Sequence, residues 1–351
     1  MRGDDVIYLD YAATAPQIKT KQKWMLNPNQ PYAINESKAI HDYSKLIQDK
    51  LNLKCGALYF CHDVSTLLEQ LNYKIRFLRY SNLVSQYEHE SILHISHSIF
   101  KDEQDLIAQL DYLQAQNWYD KFFVYHMLTN NITGRIYDVK SIGNICHDRK
   151  VFYCCDITAA IGHNDIPNDM CEYCDLIFAS GHKFGARPGI GFVWMSDELK
   201  KYLSVFTLGG TKDLNGIEQL TNALYFAVDN TNESYFDELL KFTLRAFDKH
   251  NISYHVVESN YKKTNAINSI TLFGINADSL QTYLASKNIY ISVGHSACAD
   301  ESDYRILKNC GLNEDDAKCT IRVSFANVTT KREITKFVKE VLKYKSLYIG
   351  K

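Results

Sequence analysis

The sequence is poor in chain breakers: its 351 residues include only 5 prolines and 16 glycines. That leaves little material for linkers, collagen-like repeats or low-complexity tails. No internal repeat is visible. No stretch approaches the roughly 18 uninterrupted apolar residues that a bilayer-spanning helix needs. The opening Met1-Arg-Gly-Asp-Asp runs straight into Val6-Ile7-Tyr8-Leu9, without the apolar region of a signal peptide. An excess of one charge is missing too: Lys and Arg number 39 against 41 Asp and Glu, a net charge of −2. That balance excludes a global basic field, so neither nucleic acid nor an acidic membrane is expected as a direct partner. Together these absences lead to the expectation of a soluble, cytoplasmic protein.

Cysteine is the opposite case, with ten in the chain, in strand-like settings such as Val151-Phe-Tyr-Cys-Cys155. In a long chain without secretion signals these read as reduced thiols rather than disulfides. Cys171-Glu-Tyr-Cys174 has CxxC spacing, but no second pair accompanies it, and the twelve histidines are scattered. No metal site is expected.

Short apolar runs alternate with amphipathic segments between about residues 35 and 220. Helices are predicted over Glu36 to Leu53, Ser65 to Ile75 and about 138–149. Strands are predicted at Leu58–Phe60, Asn82–Ser85, Lys121–Met127, Val151–Cys155, Leu176–Ala179 and Gly191–Met195. Such alternation argues for an α/β fold with a mostly parallel sheet covered on both faces. The C-terminal third reads differently. Helices near 232–249, Asp278–Ser286 and Lys331–Tyr344 are interleaved with strands at Ser253–Glu258, Asn268–Leu272 and Ile321–Phe325. The expected division is a large domain over 11–235 and a smaller α+β domain built from 1–10 and 236–351.

Four polar features fall where strands should end: Glu88-His89, Asn130-Asn131-Ile-Thr-Gly134, Asp156, and Ser180-Gly181-His182-Lys183. Parallel sheets place ligands at that rim. A lysine there can form a Schiff base with an aldehyde. A carboxylate can pair with a pyridinium nitrogen and keep it protonated. Ser180 and His182, beside the lysine, can bind phosphate.

These motifs resemble those of the cysteine desulfurases, within the class V aminotransferase group of fold-type-I enzymes that use pyridoxal 5′-phosphate (PLP). The resemblance runs from Tyr8-Leu-Asp-Tyr-Ala-Ala-Thr14 to about Val341. Its strongest segment is Cys174-Asp-Leu-Ile-Phe-Ala-Ser-Gly-His-Lys-Phe-Gly-Ala-Arg-Pro-Gly-Ile-Gly191. It implies a seven-stranded, mostly parallel sheet flanked by helices. It makes Lys183 the Schiff-base lysine, Asp156 the pyridinium partner, His89 the ring-stacking histidine and Asn131 a contact to cofactor and substrate. Val64 and Ser65, with Ser180 and His182, would take the phosphate. Val293-Gly-His-Ser-Ala-Cys298 resembles the loop that presents the catalytic cysteine, and Arg322 in Thr320-Ile-Arg-Val-Ser-Phe325 resembles the arginine that clamps the substrate carboxylate. The implied reaction converts L-cysteine to L-alanine and leaves a persulfide on Cys298 for a sulfur-acceptor protein. A homodimer is implied as well. His295, beside Cys298, either helps lower the thiol pKa or caps a turn.

Three positions depart from the family pattern. Asp63 stands where a glycine is usual near the phosphate, Ala159 replaces a glutamine, and Ile217 stands where a threonine reaches the neighbouring subunit. Two other readings follow: a selenocysteine lyase or another class V lyase or aminotransferase, and a degenerate homologue that serves as a scaffold subunit.

Overall fold

The computed structural model of the chain describes residues 6–19, 29–203, 212–295 and 304–348. In chain order the first part comprises β1 (Ile7–Tyr8), α1 (Tyr32–Lys50), β2 (Ala57–Cys61), α2 (Val64–Phe77), β3 (Tyr80–Ser85), the single turn α3 (Glu90–Leu93), β4 (Ser98–Phe100), α4 (Glu103–Gln116) and β5 (Lys121–Tyr125). It continues with α5 (Val139–Asp148), β6 (Phe152–Asp156), the single turn α6 (Met170–Tyr173), β7 (Leu176–Ser180), β8 (Gly191–Met195) and α7 (Leu214–Asp229). The remainder comprises α8 (Glu233–Lys249), β9 (Tyr254–Val256), β10 (Ile267–Leu272), α9 (Ala277–Ala285), β11 (Ile289–Tyr290), β12 (Ser292–Val293), α10 (Arg305–Asn309), α11 (Glu314–Lys318), β13 (Thr320–Ser324) and α12 (Lys331–Tyr348). No helix among the described residues is long and apolar enough to cross a membrane.

Seven strands form one sheet in the order β2-β8-β7-β6-β5-β3-β4. Only β8 runs against its neighbours, β2 and β7; the other pairings are parallel. This is the predicted mostly parallel sheet. The alternation of side chains along β5 explains why both its faces need cover. Val124 points into a core shared with α1, α4, α5 and α7, whereas Phe123 and Tyr125 point into a core beneath α2. The periodic reading located six of the seven strands. The seventh, β4, is a three-residue edge in which Ile99 is exposed and only Phe100 is fully buried, too short to show a period.

A second sheet, β12-β13-β10-β9, is antiparallel throughout. Its core is Ile270, Ile321 and Val323 packed against Phe236 and Phe247 of α8 and Phe337 of α12. The N-terminal segment is tied to this side. β1 pairs in parallel with β11, and Ser324 N–H donates to Leu9 O at 2.8 Å.

The nine described cysteines are all free thiols. Cys174 is buried, while the Cys171 thiol donates to Asn52 O at 3.6 Å. No group of three or more metal-ligating side chains occurs among the described residues.

Candidate active site

The carboxyl ends of the parallel strands face the second sheet across a cavity of about 490 Å³. Lys183, Asp156, Asn131, His89, Ser180, His182, Val64, Ser65 and Arg322 all lie on its wall. Cys298, the remaining expected site residue, lies outside the described residues, as does the chain on either side of it from 296 to 303.

Local chemistry explains how each group arrives. Lys183 sits in a tight 3₁₀ turn, Gly181–Phe184, directly after β7. The turn needs its glycines. A Cβ on Gly181 would lie 2.5 Å from Leu220 Cδ1 and 2.9 Å from Ile190 O, and Gly185 closes the turn at φ +102°. Asp156 ends β6, the neighbouring strand, so sheet pairing sets it close to Lys183. Burial is the largest influence on the Asp156 carboxyl and raises its pKa, while Thr158 and the Lys183 charge pull the other way. Thr158 N–H donates to Asp156 Oδ1 at 2.7 Å, and Ser180 N–H donates to Thr158 Oγ1 at 3.1 Å. Thr158 thereby locks the two strand ends together. The sequence reading did not single it out, although it stands two residues after the aspartate.

His89 caps α3. Ser91 N–H donates to its Nδ1 at 3.3 Å, with Ser91 Oγ 3.0 Å from the same nitrogen. Burial, followed by the charges of Lys183, Arg305 and His182, pushes the imidazole down to about 4. The ring is therefore neutral at pH 7, and an acceptor Nδ1 places its proton on Nε2. Glu88, alongside, is fully enclosed. Burial and then the Asp156 charge raise its carboxyl pKa well above the usual range.

The two asparagines divide their work. Asn130 Oδ1 accepts from Ile132 N–H and Thr133 N–H and so makes the turn, while Asn131 lies on the cavity wall.

At the anionic end, the N-terminus of α2 opens onto the cavity. Asp63 is its N-cap, with Oδ1 accepting from Thr66 N–H at 2.7 Å. The residue that departs from the family pattern thus has a structural task, and it consumes one amide an anion would otherwise use. Among the described residues the Val64 and Ser65 amides make no hydrogen bond and remain as donors. His182 Nδ1 lies 3.1 Å from Thr14 Oγ1. Lysine, buried carboxylate, imidazole and helix N-terminus form a donor set that suits an aromatic aldehyde carrying a phosphate.

The opposite wall is pre-paired. Arg322 Nη2 donates to Asp10 Oδ1 and to Ser292 Oγ, both at 2.9 Å, and Nη1 donates to Asn131 O at 3.0 Å. Its Nε is buried with no partner among the described residues, and this N–H and the second Nη1–H are the donors left for an incoming carboxylate. Asp10 and Ser292 were not anticipated from sequence, because Asp10 stands 312 residues from the arginine it holds.

The other two departures face away from the cavity. Ala159 packs in the core of the second sheet, and Ile217 is only 2% exposed within the core of its own chain. A neighbouring hollow of about 500 Å³ shares Lys183 with the cavity, but among the described residues its lining holds no carboxylate and includes Pro16, Ile18, Phe226 and Val328. It lacks the groups for the same chemistry.

Comparison with known proteins agrees with this geometry. The chain is similar to cysteine desulfurase IscS of Clostridium botulinum, 26% identical over 379 aligned residues that cover 96% of this chain and 93% of that one. It is similar to the IscS of Methanosarcina thermophila, 25% identical with 95% and 91% covered. Its fold matches that of a NifS-like protein from Rickettsia africae at a TM-score of 0.80 and 21% identity, with 97% of this chain and 100% of that one covered. The profile of the class-V aminotransferases matches residues 94–227 and 216–337. That match spans the strand ends bearing Asp156 and Lys183 as well as the strand bearing Arg322, and the chain belongs to the aminotransferase class-V family.

Proposed function

We propose that the protein is a PLP-dependent cysteine desulfurase that takes sulfur from L-cysteine and releases L-alanine. The observation that carries this reading is the meeting of Lys183 and Asp156, from adjacent strand ends, with Arg322 on the facing wall of one cavity. Lys183 would hold the cofactor aldehyde, Asp156 its ring nitrogen and His89 its ring face. The Val64 and Ser65 amides, with Ser180 and His182, would hold its phosphate. When bound, PLP supplies a sink for the electron pair left when a Cα–H bond breaks.

The remaining work falls to the chain itself. Arg322 binds and orients the substrate carboxylate. The Lys183 amine moves the Cα proton. Asp156, at the end of β6 on the cavity wall, would place a negative partner where a ring cation needs one. Cys298 receives the sulfur as a thiolate and becomes a persulfide: one C–S bond breaks, one S–S bond forms, and alanine leaves. The persulfide then passes to an acceptor protein. The class V resemblance supports a homodimer.

Asp63 favours a second reading. Its carboxylate sits at the helix end where a phosphate would bind, which suits a scaffold subunit that no longer holds cofactor. One experiment separates the two. Purified protein is incubated with PLP, its visible absorbance recorded, and alanine measured after addition of L-cysteine. A visible band and alanine formation are expected. Cys298→Ala is expected to keep the band and form no alanine. Absence of the band after PLP addition establishes the scaffold reading, and undiminished alanine from the variant removes Cys298 from the reaction.

A further inference from the structure

The CxxC spacing at Cys171 and Cys174 does not make a pair. Cys174 is buried, and its thiol hydrogen-bonds with that of Cys155 in β6, also buried. Cys171 meets a different partner. Its Sγ lies 3.6 Å from Asn52 O, in the turn between α1 and β2, and Cys55 stands in that same turn. The Cys55 and Cys171 thiols hydrogen-bond with one another. Cys55 is exposed and Cys171 half-buried, so a reagent in solution reaches the pair.

The backbone around the pair is held independently of that contact. Trp194 Nε1 donates to Cys55 O at 2.7 Å, and Gly56 N–H donates to Asp197 Oδ2 at 3.2 Å. Gly56 has φ +76°, and a Cβ there would lie 2.2 Å from Met195 O, so the turn is seated closely against β8. Asn52 Nδ2 donates to Asn168 O at 2.6 Å and fastens the turn to the segment that enters α6. The pair is remote from the cavity. Ala57 of β2 and Leu176 of β7 both pair with Met195 at one end of β8, whereas Cys61 and Ser180 both pair with Gly191 at the other. The thiols therefore lie at the amino rim of the large sheet, and Lys183 at the opposite rim.

We propose that Cys55 and Cys171 form a reversible disulfide, a redox-sensitive clasp on the amino rim of the large sheet. This inference is independent of the desulfurase reading. The oxidant is a low-molecular-weight disulfide of the glutathione class. Cys55 sulfur attacks it, one S–S bond breaks as another forms, and the first small thiol leaves. Cys171 sulfur then attacks the mixed disulfide, and the second small thiol leaves. The protein pair gives up two protons and two electrons, and the two sulfurs of the oxidant take them. Burial, then Cys171 and Asp197, raises the Cys55 thiol pKa, so the supply of thiolate and the rate of closure increase with pH. The closed clasp bridges two distant parts of the chain and restricts the unfolded state.

In the test, the full-length protein is equilibrated at mildly alkaline pH with reduced and oxidised glutathione in varied ratio. Free thiols are alkylated, peptides are mapped by mass spectrometry, and Tm is measured alongside. Oxidising ratios are expected to link the peptides that carry Cys55 and Cys171, and reducing ratios to release them. The linked form should melt roughly 5–10 °C higher. Cys55→Ser and Cys171→Ser should each remove both the link and the rise, with Tm of the reduced variant within about 2 °C of wild type. Both thiols open to alkylation at the most oxidising ratio, a glutathione adduct that persists on either, or a Cys171–Cys174 link overturns the inference. So does a link without a rise in Tm, or a rise retained in Cys55→Ser.

Discussion

The two walls of the cavity are built by different means. The large-sheet wall is local. Asp156, Thr158, Ser180, His182 and Lys183 come from two short segments at adjacent strand ends, and sheet pairing alone brings them together. The small-sheet wall is assembled over long distances. Arg322 is held by Asp10 and Asn131, 312 and 191 residues away, and His295 by Asp278 and Tyr304 from flanking elements. A wall of contiguous motifs suits a resident group that stays in place. A wall of pre-paired charges suits a substrate that comes and goes, because the paired arginine stays neutralised between turnovers and needs no water to solvate it.

Four experiments can break or sharpen that contrast. The largest effect is expected from Lys183→Ala, which should abolish both the visible band and alanine formation. A band unchanged by this substitution would move the cofactor off the large-sheet wall.

Next comes acid. His89, His126 and His163 are each pushed from 6.5 to about 4, burial being the first cause in every case. Their folded pKa values are depressed, so the stability linked to them is complete above pH 6.5 and is lost as pH falls towards 4. By linkage each can contribute on the order of 2–3 kcal/mol. All three belong to the large-sheet side. Its amides should lose protection from hydrogen exchange first as the pH drops from 6.5 to 4. If the small sheet opens first, the contrast fails.

Arg322→Lys should leave the cofactor spectrum intact and raise KM for cysteine about 10- to 100-fold, the loss of one charge-assisted contact. Loss of the band in this variant would show that the walls do not divide their tasks. The smallest effect is expected from Asp63→Ser. Serine can still cap α2, so the change isolates the charge. Affinity for PLP should rise about 3- to 5-fold, read by spectral titration. Unchanged affinity would mean that the carboxylate does not reach the anion site.

Much of the large-sheet wall was legible beforehand. Strand periodicity located six of seven sheet strands, and motifs at their ends named Lys183, Asp156, Asn131 and His89. β4 escaped because three residues give no period. The capping role of Asp63 escaped because the aspartate was read only as a charge near an anion, although Asp followed by a helical run is an N-cap signal. On the other side Arg322 and Cys298 were named with roles, Cys298 lying outside the described residues, while His295 was left between two roles.

The sequence by itself determined which elements form and which reactive side chains stand at their ends. Both depend on local periodicity and on short motifs read within a few residues. Tertiary structure alone decided which charges neutralise one another, which imidazoles are buried, and which wall each group occupies. Those outcomes depend on burial and on partners hundreds of residues apart, and no window along the chain contains both members of such a pair.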